Sequence, residues 1–265
     1  MGSLDPQQSI RLYEADNPFV TPDAFRHSNY SAFLDGQLVR LLDWRSPSAR
    51  AQLAHNALRS FIRSDSMACV GAKGALGSAG YRFGFYSQLA DARATEGLAR
   101  DLAAFVAELP LMKPRYKSFI AVFDGTTHDE DDFEARVWQQ LQRLHEVDRR
   151  HFAWASGVSD DPHDATFGFS IAGHAFFVVG MHAKASRISR RFSYPALAFN
   201  SHDVFAALRE TGHFERVRAH VREREAAIQG SLNPNLADFG EASEARQYSG
   251  KRIEGEWMCP FKRGA

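Results

Sequence analysis

YRFGFYSQLADARATEGLARDLAAFVAELPLMKPRYKSFIAVF, Tyr81–Phe123, is the stretch that decides the fold. YRFGFY at Tyr81–Tyr86 is aromatic and alternating, the period of a half-buried strand. Asp91–Leu109 then changes period: Leu98, Leu102, Phe105, Val106 and Leu109 form one helical stripe, and Pro110 stops it. SFIAVF at Ser118–Phe123 is a second, apolar strand ending at the Asp124-Gly125 turn.

Upstream, Pro47–Arg63 reads as a helix with Ser46 as its N-cap. Downstream, Glu130–Arg150 is a long helix with Phe133, Val137, Leu141, Leu144 and Val147 on one face. Phe167–Ile171 and Ala175–Met181 read as a hairpin turning at Ala172-Gly173-His174, and Pro195–Asn200 as a short strand. His202–Gln229 is helical with a break near Gly212, and an irregular tail follows from Gly230. Strands and long helices alternate before the hairpin. The expectation is an α+β fold: a central mixed sheet of about five strands, covered by long helices. It forms a single domain over residues 47–265, with residues 1–46 as an N-terminal extension packing on it.

Composition bounds the function. The 265 residues carry 32 Lys+Arg against 32 Asp+Glu, and 44% are hydrophobic, as in ordinary globular proteins. Zero net charge removes the general attraction to phosphate backbones, so nucleic acid is not an expected partner. The longest apolar run, Ala175–Met181, is far short of the roughly 20 residues of a membrane span. The start, MGSLDPQQSIRLYEAD, lacks an export signal's apolar region, and Pro6 stands where an acylation motif wants Ser or Thr. Two cysteines, Cys69 and Cys259, suit a reducing cytoplasm.

Standard site signatures fail. HEVDR at His145–Arg149 places Arg149 where a zinc protease needs its second histidine. GAKGALGSAG at Gly71–Gly80 contains neither phosphate-loop pattern and precedes a strand rather than following one. The acids of TTHDEDD, Thr126–Asp132, are accounted for by capping and the helix dipole.

Three regions carry more chemistry. In SMACVGAK, Ser66–Lys73, an ammonium near Cys69 would favour thiolate, although lone cysteines are usually buried and inert. In GMHAKASRISRRF, Gly180–Phe192, His182 leaves a strand and is followed by Lys184, Ser186, Arg187, Arg190 and Arg191. Such a cluster suits an anionic ligand, haem included, with a histidine on iron and arginines on propionates; the competing reading is a basic surface loop that solvates itself. In SLNPNLADFGEASEARQYSGK, Ser231–Lys251, Asp238, Glu241 and Glu244 cluster as for a cationic substrate, against the alternative of an acidic solvated turn.

Together these regions resemble the YqcI/YcgG family, particularly its haem-dependent pre-guanitoxin N-hydroxylase branch. The similarity runs from about Ala57 to Phe261 through FIRSDSMACVGAK, YRFGFY, FFVVGMHAKASRISRRF, PALAFNSH, SLNPNLADFGEASEARQYSGK and WMCPF. The chain departs from the family in reading Met67-Ala68 before Cys69 and Ala183 after His182. The resemblance implies a haem b enzyme that uses O2 and an external electron-donor reductase to hydroxylate a guanidino or amino nitrogen of a small cationic substrate. On it, His182 holds iron, Ser186, Arg187 and Arg191 meet propionates, and Asp238, Glu241 or Glu244 orients the substrate. His174, His202 and Cys259 compete for the iron. A non-catalytic haem-binding or haem-sensing protein is the alternative, a Cys69-dependent hydrolase is a third class, and a homodimer stays open.

Overall fold

The computed structural model describes residues 16–253 and 255–263. The reading of the chain start as free of export and acylation signals falls on residues 1–15, outside them. So does the first part of the expected 1–46 extension. The strands are β1 Ser31–Leu34, β2 Gln37–Arg40, β3 Tyr81–Gln88, β4 Ser118–Asp124, β5 Phe169–Ile171, β6 His174–Met181 and β7 Ala196–Ser201. They form a seven-stranded sheet in the order β2-β1-β3-β4-β7-β6-β5. Only β3 and β4 pair in parallel; every other neighbouring pair is antiparallel.

The helices are α1 Pro22–His27, α2 Ala49–Arg63, α3 Val70–Gly77, α4 Ala92–Glu108, α5 Glu130–Asp148, α6 His202–Glu210, α7 Phe214–Gln229 and α8 Ala245–Tyr248. Helix α4 is the crossover that a parallel β3–β4 pair requires. The fold is α+β with a mixed sheet, as expected, but with seven strands rather than about five. The two additional strands are β1 and β2. They add a hairpin to the sheet edge through Ser31 opposite Phe83, so part of the N-terminal region belongs to the sheet itself.

Local chemistry sets the element ends. Asp91 caps α4 by accepting from the Arg93 N–H, and Asp129 caps α5 by accepting from the Asp132 N–H. The acids of Thr126–Asp132 are thus used at a helix start. Ser48, rather than Ser46, caps α2 through the Ala51 N–H. The β5–β6 turn is tighter than expected, because Ile171 already pairs with His174. Ala172 and Gly173 both take positive φ, 52° and 69°, the hairpin turn whose twist matches the flanking strands.

Strand β4 shows how the core divides. Phe119, Ala121 and Phe123 face one side of the sheet, where Leu98, Leu102 and Phe105 of α4 and Phe133, Val137 and Leu141 of α5 cover them. Ile120 and Val122 face the other side, with Leu58 and Ile62 of α2 and Leu76 of α3. This second face holds the smaller cluster, and helices α6 and α7 lie over the remainder of it.

Helix α4 also carries α1. A Cβ built on Gly97 would stand 2.3 Å from the His27 carbonyl oxygen, a backbone atom that cannot swing away. Gly97→Ala is therefore expected to cost about 1–3 kcal/mol despite alanine's better helix propensity, read as a lower midpoint in urea unfolding.

Candidate functional site

The second face of the sheet ends in a cavity of about 350 Å³, bounded by α2, α3, α6, α7 and the segment 233–247. That size is within the range of small-molecule and cofactor sites. Its walls are mainly apolar: Ile62 and Leu76, Ile120 from β4, Val179 and Met181 from β6, and Val221 from α7.

Polar groups enter at separate points. Cys69 is exposed at the N-cap of α3, its Sγ 3.4 Å from the Ala72 N–H. Arg190 donates from Nη1 to the carbonyls of Gly180 and Tyr248, both at 3.1 Å. Burial pulls the Arg190 guanidinium down to about 10, against the opposing fields of Glu225 and Cys69, so it stays charged at neutral pH. Arg218 and Arg222, one turn apart on α7, flank Asp238: Arg218 bonds it directly and Arg222 lies 3.6 Å away. Glu244 accepts from His202, with Nε2 3.0 Å from Oε2, and its carboxyl is raised by burial, partly offset by that histidine.

The residues expected to hold haem are placed elsewhere. His182 is buried, its ring stacked on Phe133 at 4.2 Å and its Nδ1 3.2 Å from the Thr127 hydroxyl. Burial holds its pKa below the ordinary histidine value, opposed by Glu130. The Ser186 hydroxyl and N–H both donate to Glu130, at 2.8 and 2.9 Å. Arg187 donates Nε and Nη2 to Glu225 Oε1, at 3.1 and 2.6 Å, and also reaches Ser231. Arg191 bonds the carbonyls of Ala185 and Ser186. None of these four lines the cavity. Ser186 and Arg187 spend their donors on the protein's own groups, as in the self-solvating basic loop weighed above, whereas His182 Nε2 and Arg191 Nη1 make no hydrogen bond among the described residues.

The expected carboxylates divide. Asp238 and Glu244 line the cavity, whereas Glu241 is exposed outside it and accepts from the Asp238 N–H. Of the competing iron donors, His174 bonds Ser201 at 2.9 Å, away from the cavity. Cys259 lies in the core of the opposite face, where burial pushes its thiol up to about 12. His202 lines the cavity, but its Nε2 is engaged by Glu244.

Sequence reading missed Arg218 and Arg222. The available signal was their one-turn spacing beside Val217 and Val221, a stripe apolar and cationic at once. The groups of this cavity that could hold a flat apolar dianion are its apolar walls, Arg190, the arginines of α7 and the Cys69 sulfur. Among the described residues no three His, Cys, Asp or Glu side chains converge on a free metal ion, whereas a haem iron requires a single protein donor. No described helix is long and apolar enough to cross a membrane.

A family model described as the YqcI/YcgG family matches residues 58–262. No curated protein and no solved structure matches the chain.

Proposed function

The chain belongs to the YqcI/YcgG family, and from that premise we propose that it is a haem-dependent oxygenase. It N-hydroxylates a guanidino or amino group of a small cationic, amino-acid-like substrate, as the pre-guanitoxin branch of the family does. One observation carries the reading: a single mainly apolar cavity presents an exposed thiol, charged arginines and a carboxylate, Glu244, whose ion-pair partner among the described residues is a histidine rather than an arginine or lysine.

In this reading Cys69 is the protein's donor to iron, because His202 has its Nε2 committed to Glu244 and His182 lies off the cavity. Arg190 and Arg222 would take the propionates, since guanidinium pairs well with carboxylate oxygens. Bound haem would supply the activation of O2, with electrons from an external reductase. The protein's own work is then positioning: apolar walls exclude water and the carboxylate end of the cavity orients the cation. Unpaired cysteines fit a reducing cytoplasm.

Protein purified from haem-supplied cells is expected to show a Soret band that Cys69→Ala abolishes or shifts and that His182→Ala leaves in place. The opposite pattern would return the iron to His182. A colourless protein that takes up no haemin ends the reading. With reductant and O2, arginine or a related amine should gain one oxygen atom by mass; haem binding without that gain marks a non-catalytic haem protein.

A further inference from the structure

We infer that Glu244 is the residue that captures the substrate's cation, and that the cavity selects ligands by the positive charge brought to this one carboxylate. The inference deepens the oxygenase reading and rests on it for the identity of the ligand.

Three carboxylates line the cavity: Glu225, Asp238 and Glu244. Arg187 clamps Glu225 through two nitrogens. Asp238 has Arg218 on one oxygen and Arg222 near the other. Both therefore meet a ligand already neutralised. Glu244 has no arginine or lysine in an ion pair among the described residues. Its Oε2 takes both of its contacts, His202 Nε2 at 3.0 Å and the Tyr248 hydroxyl at 3.3 Å. Its Oε1 accepts no hydrogen bond among the described residues, and Glu244 lines the cavity.

Burying a carboxylate without a cation is costly, and the cost is recovered when a cation arrives. Burial raises the Glu244 carboxyl, opposed by the hydrogen bonds of His202 and Tyr248 and by the charge of Arg209. Phe205 and Phe239 stand edge-on to the His202 ring, at 6.2 and 5.4 Å, and line the cavity, with the Arg209 guanidinium 5.8 Å from the Phe239 ring. His202 is the first residue of α6, so the helix start fixes the ring that holds Glu244 in place.

Calorimetric titration with n-butylguanidine, and with n-butylurea as its uncharged isostere, tests this on protein both as purified and loaded with haemin. Wild-type protein should bind the guanidine at least tenfold more tightly than the urea. Glu244→Gln keeps an acceptor for His202 and Tyr248, so it should fold, with a thermal midpoint no lower than that of the wild type, and lose that preference. Glu241→Gln, outside the cavity, should retain it. Equal binding of guanidine and urea by the wild type, no measurable binding of the guanidine, or an undiminished preference in Glu244→Gln would each overturn the inference. Charge-selective binding that depends on Glu244 in a protein that takes up no haem would sink the oxygenase reading and leave the cation site standing. Haem uptake with binding indifferent to Glu244 would do the reverse.

Discussion

Replacing Arg187 by methionine is expected to destabilise the haem-free protein by about 3–5 kcal/mol, because it strands the buried Glu225 carboxylate without its partner. The pair joins the loop after β6 to α7, and Arg187 further bonds Ser231 just beyond that helix. Glu225 is the one residue of α7 classed as buried, so this ion pair is a buried tie between the cavity's outer wall and the rest of the protein. Urea unfolding of Arg187→Met should show a lower midpoint, and hydrogen exchange should quicken first in α7. The double variant Arg187→Met with Glu225→Leu should recover most of the loss, since an apolar pair of similar volume removes the stranded charge. An arginine reserved for a cofactor's propionate would behave otherwise. Its removal from haem-free protein would change stability by about 0.5 kcal/mol or less.

Asp148→Asn is expected to stabilise the protein, and by more as pH rises. Asp148 is buried at the end of α5, with one oxygen accepting from the Ala172 N–H at 2.8 Å, and it forms no ion pair among the described residues. Burial raises its carboxyl from 3.8 to about 7, against that single hydrogen bond. Between those two pH values the folded protein keeps a proton that the unfolded chain has released. Stability therefore falls as pH rises across that window, and the whole penalty is present above pH 7. At about 1.4 kcal/mol per pH unit, the penalty reaches up to about 4 kcal/mol. Asparagine keeps the acceptor for Ala172 and carries no charge. Denaturation at pH 5, 6.5 and 8 should show the variant's advantage growing with pH; an advantage independent of pH would sink the argument. His55 acts in the opposite sense. Burial, and then the charge of Arg59, lowers it from 6.5 to about 4, so its contribution is lost as pH falls through that range. It is common to both proteins and cancels from their difference.

How far the sequence could be read depended on the range of the interactions concerned. Strand β4 and helices α4 and α5 are legible, because alternation in SFIAVF and the Leu98–Leu102–Phe105 stripe are local patterns that each element must bury. The β1–β2 hairpin was overlooked although Asp35-Gly36, with φ of 48° and 83°, is a strong turn signal. Its strands leave Leu34 and Val39 exposed and carry no clear alternation. Helix α3 was hidden by Gly71, Gly74 and Gly77, which lower helix propensity; the Tyr116 ring packed against Gly71 and Gly74 stabilises it from outside.

The candidate site was legible as residue types and not as an arrangement. The run from His182 to Arg191 shows its cations plainly, and what it cannot show is Glu225, 38 positions away, already holding Arg187. Asp238, Glu241 and Glu244 read as equals in the chain. In space one is paired by α7 arginines, one faces outward and one opens on the cavity.

By itself, then, the sequence determined the α+β class, the long helices, and membership of a family through blocks of residues in a fixed order. Tertiary structure alone decided which charges are free to meet a ligand. The physical reason is that periodicity and capping act within a few residues, whereas a charge is spent or left available by partners that the fold brings from distant parts of the chain.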